Sequence, residues 1–133
     1  MAALDLFGLE GKKALVIGGG QGMGESSARL LAQAGCDVAI VDVEADRSER
    51  VAKVVRELGR KGYAITANVL ADGGAEDAVA EAERVLGGLD VMVSIVGQAL
   101  FTPLVDMSPE DLTATSAATC ATSSSPGKRS PSR

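Results

Sequence analysis

The chain has 133 residues, of which 46% are hydrophobic and 23% charged, and its formal net charge is −5. This length suits one small domain, and the acidic balance argues against nucleic acid as the main partner. No apolar run reaches the roughly 18–20 residues that cross a bilayer, so we expect no membrane partner.

The chemistry-bearing residue types are also restricted. The chain contains no histidine, the residue most often used as a general base or metal ligand. Its two cysteines, Cys36 and Cys120, are far apart and lack metal-ligand spacing, so we expect free thiols and no metal site. Residues 1–5 show no basic segment leading into a long apolar one, which predicts no secretion signal and a cytoplasmic location.

A glycine-rich stretch over residues 18–24 lies between an apolar run and a helix-like run. Glycine permits a sharp turn and lets a ligand approach the backbone without a Cβ in the way. The free N–H groups and the dipole of the following helix favour a phosphate there. The stretch therefore predicts a dinucleotide pocket.

Seven elements are predicted, and they alternate between strand and helix. Apolar stripes at helical spacing define the later helices, and glycines end them. The second helix carries a stripe of Val51, Val54, Val55 and Leu58, and its charged residues are interpreted mostly as a solvated face. The strands are expected at 13–17, 37–42, 63–67 and 89–96. The first helix is expected at 22–34, and the second is expected to end at Gly59 or Gly62. The third is expected at 75–86, with its inward face formed by Val79, Ala82, Val85 and Leu86.

This alternation indicates an open α/β fold with a parallel sheet and right-handed crossovers. Because the glycine turn follows the first strand, that strand is expected at the centre, in the order 3-2-1-4. A further helix is expected to start at Ser108, a capping residue followed by Pro109 and two acids.

With these residues in place, residues 5–112 resemble the N-terminal half of a short-chain dehydrogenase/reductase. The family's Thr-Gly-x-x-x-Gly-x-Gly motif matches Gly18, Gly22 and Gly24, with Ile17 where threonine is usual. The family's acid after the second strand matches Asp42, and the glycine after its fourth strand matches Gly97. The resemblance implies a Rossmann-like, doubly wound parallel sheet that is truncated after the fourth strand.

The resemblance also implies the cofactor and its contacts. The Asp42 carboxylate is expected to bond the adenosine ribose hydroxyls and to favour NAD over NADP, whose 2′-phosphate it would repel. Asn68 and Val69 stand where the family often has Asp-Val beside the adenine. The residues expected to bind the cofactor are Gly18, Gln21, Gly22, Met23, Gly24, Asp42, Val43, Asn68, Val69, Val96 and Gly97.

A methyl donor-binding domain is the main alternative within the α/β class. Such domains also have glycines after the first strand and an acid after the second. They usually place another acid just before the glycines, where this chain has Val16 and Ile17. The alternative is therefore the weaker interpretation.

The family's catalytic residues have no counterpart among these 133 residues. The family uses a tyrosine with a lysine four residues later, together with a serine, for hydride transfer between nicotinamide and a carbonyl or alcohol. The only tyrosine is Tyr63, in the third predicted strand, and Ala67 lies four residues on. We expect no catalytic residue and no turnover from this chain.

Residues 113–133 are rich in Ser, Thr and Ala and carry no acid, whereas all 18 acidic residues precede them. One interpretation is a disordered tail. The preferred interpretation is a shifted reading frame after Leu112. Residues 113–123 can be back-translated with GC-rich codons and read one frame across. One sequence obtained in this way is Arg-Asp-Leu-Arg-Arg-Asn-Leu-Arg-His-Val-Phe, which resembles the missing family helix. The expected domains are thus 1–112, an NAD(P)-binding half-domain, and 113–133, an out-of-frame or disordered tail.

Three functions remain open at this point. They are an oxidoreductase by ancestry that binds NAD weakly without turnover, a non-catalytic nucleotide-binding module, and a product with no function. Because the fifth strand and the family's oligomer helix are expected to be missing, the fourth strand should present an apolar edge. Aggregation or chaperone contact is then expected instead of the family's homo-oligomer.

Overall fold

The computed structural model describes residues 7–97, 104–111 and 113. These residues belong to two compact units, with the division between Ile95 and Val96. The first unit holds all four strands and three α-helices. Their bounds are β1 Lys13–Ile17, α1 Gly22–Gln33, β2 Asp37–Asp42, α2 Ala45–Glu57, β3 Gly62–Thr66, α3 Gly74–Leu86 and β4 Val91–Ser94.

The four strands form one parallel sheet in the order β3-β2-β1-β4. In register, Ile17 of β1 lies opposite Val41 of β2 and Ser94 of β4. The predicted α/β class, the parallel pairing and the strand order are all confirmed. Because parallel strands run the same way, their carboxyl ends meet at one edge of the sheet, and the glycine turn begins there.

Helices cover both faces of the sheet, which explains why the central strands are almost continuously apolar. Ala14 and Val16 belong to a buried cluster with α1 and α2 residues. The alternate residue Leu15 is equally buried and points to the opposite face, since side chains alternate along a strand. Helix α3 contacts β1, β2 and β3. No helix within the described ranges combines the length and apolarity needed to cross a membrane.

The predicted apolar stripe of α2 is wrong in part. Leu58 follows the helix and is 41% exposed. Val54 is only half-buried. The side chains that the helix buries have the predicted spacing but lie on a shifted face: Ser48, Val51, Ala52 and Val55.

Close packing between α2 and β3 is the physical reason for this shift. A Cβ on Gly62 would collide with the Ala52 carbonyl oxygen and lie 3.0 Å from the Val55 Cβ. Small residues on both elements therefore allow the helix to lie directly on the strand. In α3 the same preference for small residues buries Ala78 and Ala82 together with Leu86, while Val79 and Val85, also predicted to face inward, are half-buried.

β4 lies at one edge of the sheet and is shorter than the predicted 89–96. Its start is fixed by Asp90, whose carboxylate accepts the Lys13 backbone N–H at 2.9 Å. Along the strand, Met92 is exposed and the other residues are half-buried. The aggregation expected from this edge stays a prediction.

The second unit begins at Val96 and contains a 3₁₀ turn at Leu104–Asp106. The helix start predicted at Ser108 is present: Ser108 Oγ accepts the Asp111 N–H at 3.1 Å, and the Asp111 carboxylate accepts the Ser108 N–H at 3.2 Å. Pro109 and Thr113 are helical. Cys120 and the rest of the predicted tail lie outside the described residues, and the boundary at 112 stays a prediction.

Candidate functional site

The glycine turn starts at the carboxyl end of β1 and is tied to the end of β2. Gly18 has a φ of 77°, a conformation that L side chains rarely adopt. The N–H groups of Gly18 and Gly19 both donate to the Val41 carbonyl, at 2.8 and 3.1 Å. The turn therefore has a fixed position at the sheet edge.

Helix α1 begins directly on this turn because Gly24 has no side chain. A Cβ on Gly24 would collide with the Gly18 carbonyl oxygen and lie 2.8 Å from the Gly18 carbonyl carbon and 2.9 Å from Gly19 Cα. These neighbours are all backbone atoms, which cannot rotate away. The third motif glycine therefore lets the helix approach the strand closely.

The first turn of α1 leaves its N–H groups open toward the edge of the sheet. Gln21 is the N-cap residue, and its side chain makes no capping hydrogen bond. The first backbone bond of the helix within the described residues runs from Glu25 N–H to the Gln21 carbonyl, at 3.2 Å. Gly22 is exposed, Met23 is 73% exposed, and a Cβ on Gly22 would meet no atom within 4 Å. Amides in this position suit an anionic group.

Asp42 lies beside the same turn and is buried, with 8% of the residue exposed. One oxygen accepts the Gly20 N–H at 3.0 Å, and the other accepts the Glu44 N–H at 3.1 Å. These two backbone donors hold the carboxylate in a fixed position beside the turn. The acid and the glycine turn, which are 22 residues apart, therefore form one site.

The residues after β2 and β3 lie next to Asp42. Val43 is 57% exposed and follows Asp42 directly. The Ala67 N–H donates to the Asp42 backbone carbonyl at 3.1 Å. This bond brings Asn68 to the same edge, where its Oδ1 accepts the Leu70 N–H at 3.1 Å, leaving the side-chain NH₂ as a donor. Val69 is half-buried.

Two of the predicted contacts belong to the second unit. Val96 is half-buried and Gly97 exposed, and both follow the division after Ile95. Their part in the site stays a prediction. Tyr63 is half-buried within β3, as expected for a strand aromatic.

An ion-pair cluster at the start of α1 was missed by the sequence interpretation, which placed Arg50 on a solvated face. Arg50 donates to both Glu25 carboxylate oxygens, at 2.9 and 2.8 Å, and to the Gly20 carbonyl at 2.8 Å. Arg29 donates to the same carboxylate at 2.8 Å. These hydrogen bonds, Arg50's first, lower the pKa of Glu25 from its ordinary 4.5 to about 2. The i,i+4 spacing of Glu25 and Arg29 marks only part of this cluster, because Glu25 and Arg50 meet only when α1 and α2 pack side by side.

The residues present fit a dinucleotide. Open amides and a left-handed glycine provide room and donors for a diphosphate. An anchored carboxylate at the end of the next strand can accept two ribose hydroxyls. These are the requirements of the predicted pocket, and the first unit meets them within one edge of its sheet.

Comparison with known proteins agrees with the family resemblance predicted from the sequence. A family model described as short chain dehydrogenase matches residues 12–123. A short-chain dehydrogenase/reductase of Armillaria gallica is 38% identical over 104 residues, covering 77% of this chain and 40% of the relative. The 2,3-dihydro-2,3-dihydroxybenzoate dehydrogenase of Bacillus subtilis is 36% identical over 90 residues, covering 68% of this chain and 34% of the relative.

Among solved structures, a short-chain type dehydrogenase/reductase from Mycobacterium marinum superposes with a TM-score of 0.81 at 29% identity. The superposition covers 91% of this chain and 49% of that protein. The chain thus spans about two fifths of the length of the first curated relative and about half of this structure.

Proposed function

This chain belongs to the short-chain dehydrogenase family, and we propose that its glycine turn and Asp42 bind a nicotinamide dinucleotide, with NAD favoured over NADP. The observation that carries the proposal is the 3.0 Å hydrogen bond from Gly20 N–H to the Asp42 carboxylate. It joins the two features that a dinucleotide needs, amides for its diphosphate and an acceptor for its ribose, in one rigid junction.

The preference for NAD rests on charge. The Asp42 carboxylate accepts only two backbone N–H groups in the described residues, so it retains acceptor capacity for ribose hydroxyls. A 2′-phosphate at the same place would bring like charges together in a poorly solvated site, which is unfavourable. Arg47 follows five residues later, and its Cβ lies near Gly20, 2.7 Å from where a Cβ on that glycine would stand. It is the side chain that could weaken this preference.

The residues proposed to contact the adenosine half of the cofactor lie at the same edge of the sheet. We propose that Val43 packs against the adenine and that the Asn68 amide donates to it, with Val69 beside them. The diphosphate is assigned to the amides of Gly22, Met23 and Gly24, next to Gly18 and Gln21. Val96 and Gly97 are proposed to bind the cofactor on the resemblance alone.

Hydride transfer is the chemistry of the family to which the chain belongs, and we do not propose it for these residues acting alone. Bound nicotinamide supplies hydride exchange with a carbonyl or alcohol. The 133 residues include one tyrosine, Tyr63, and no Tyr-x-x-x-Lys pattern. We therefore propose that the chain binds the dinucleotide without turnover, that it is cytoplasmic, and that its β4 edge favours aggregation or chaperone contact.

Thermal unfolding of the purified chain with NAD, NADP or neither tests the proposal. A ligand that binds only the folded state must raise the melting temperature. We expect NAD to raise it at lower concentration than NADP, with no substrate-dependent change in NADH absorbance. Tight binding would favour a dedicated nucleotide-binding module, and no shift with either dinucleotide would reject the proposed function.

A further inference from the structure

Arg50 connects two parts of the candidate site that come from different elements. It lies on the second turn of α2, and its guanidinium donates to the Gly20 carbonyl at 2.8 Å and to both oxygens of Glu25. A forked guanidinium that meets a carboxylate with two parallel bonds has little freedom to rotate. The side chain therefore holds a defined position against the glycine turn.

The backbone of Gly20 is held on both sides of its Cα by this arrangement. Its N–H is bound by Asp42 and its carbonyl by Arg50. Both partners come from the second strand and the helix after it. Gly20 is buried, and only Gln21 separates it from the open amides that begin at Gly22, so fixing its backbone restrains the turn that leads into them.

Glu25 places a negative charge in the first turn of α1. Such a charge stabilises the helix dipole, but it also repels any anion bound at the same helix end. Its side chain is 17% exposed and is paired with Arg50 and Arg29. One carboxylate and two guanidiniums leave the cluster with one net positive charge, which removes the repulsion.

We propose that Arg50 is a positioning residue for the diphosphate of the dinucleotide: it fixes the Gly20 carbonyl and neutralises Glu25 beside the open amides. The inference rests on the proposed function for its ligand. It adds a contribution from α2 to a site otherwise made of strand ends and the first turn of α1.

Arg56 provides a matched control on the same helix. Its Nε donates to the Gly62 carbonyl at 2.9 Å and its Nη1 to Glu49 at 2.8 Å, so it also joins a glycine carbonyl to a carboxylate. It bonds the carbonyl of the first residue of β3, at the sheet edge away from the glycine turn. Arg50→Met and Arg56→Met should therefore lower stability in similar ways, while only the first should alter the site.

The experiment compares NAD affinity by calorimetric titration in the wild type and both variants. We expect Arg50→Met to weaken NAD binding roughly tenfold, the usual effect of losing a hydrogen bond to a charged group. Arg56→Met should leave the affinity unchanged. Adding Glu25→Gln to Arg50→Met should restore part of the affinity, which a purely structural role would not do, and Arg50→Lys should retain more affinity than Arg50→Met.

Amide hydrogen exchange of residues 20–24 without ligand provides the second readout. Exchange should be faster in Arg50→Met than in Arg56→Met. Equal NAD affinities in the two variants, or equal exchange rates, would overturn the inference while leaving the proposed function intact. Failure of the wild type to bind any dinucleotide would instead overturn the proposed function, and Arg50 would then have no diphosphate to position.

Discussion

Gly22→Ala and Gly59→Ala form a pair of substitutions that separates cofactor binding from backbone strain. Gly22 has a φ of 56° and Gly59 a φ of 86°, and a Cβ at either position would meet no atom within 4 Å. Neither alanine creates a collision, so each variant should fold. Gly22 begins α1 at the candidate site, whereas Gly59 follows the end of α2.

The expected cost without ligand follows from the left-handed backbone. An alanine in this region is less stable by roughly 1–2 kcal/mol. For a domain of this size, each kcal/mol corresponds to about 4–8 °C in the melting temperature. Both variants should therefore melt several degrees below the wild type, by comparable amounts.

The two variants should differ when NAD is present. At one hundred times its Kd, a ligand stabilises the folded state by about 2.7 kcal/mol. The wild type and Gly59→Ala should both gain this increment. Gly22→Ala should lose most of it, because the new methyl group projects into the open space assigned to the diphosphate.

The assay is thermal unfolding at matched protein concentration, with a series of NAD concentrations for each variant. The difference in stabilisation between the two alanine variants is the quantity of interest, since it cancels the strain that they share. If NAD stabilises Gly22→Ala as strongly as Gly59→Ala, the open amides of α1 do not hold the cofactor and the assignment is refuted.

Two further predictions concern packing and pH. Gly24→Ala should lower the free energy of unfolding by about 1–3 kcal/mol, the cost of overpacking, because its Cβ would collide with the Gly18 backbone. Denaturant unfolding measures this loss, and a loss no greater than that of Gly59→Ala would contradict the prediction. Glu25 has a pKa of about 2 in the folded chain against an ordinary 4.5. Its contribution to the free energy of unfolding is therefore complete above pH 4.5 and is lost as the pH falls towards 2. The wild type should lose more stability over this window than Glu25→Gln, and parallel pH profiles of the two proteins would contradict the prediction.

The elements that sequence could predict are those fixed by local chemistry. β1 and the start of α1 are marked by an apolar run and by glycines whose conformations no other residue adopts easily. Gly35, with a φ of 96°, ends α1 as expected. The strand order followed from the position of the glycine turn, because that turn requires a central strand.

The features that sequence could not predict depend on how elements pack. The buried face of α2 was misplaced because large apolar residues were counted, whereas the helix also buries the small residues Ser48 and Ala52, and Ala52 approaches Gly62 closely. The Arg50 contacts with Gly20 and Glu25 span 30 and 25 residues. Neither sequence spacing nor composition predicts which charged residue of an exposed face turns towards a neighbouring helix.

The most direct test of the account is the ratio of NADP to NAD affinity in Asp42→Asn, measured by calorimetric titration. Asp37→Asn is the control, because Asp37 is similarly buried at the opposite end of β2, where it accepts the Lys61 N–H at 3.1 Å and pairs with Arg60 at 3.0 Å. We predict that the wild type and Asp37→Asn prefer NAD, and that Asp42→Asn shifts the ratio roughly tenfold towards NADP by removing the repulsive charge. An unchanged ratio in Asp42→Asn would contradict the assignment of this carboxylate to the ribose.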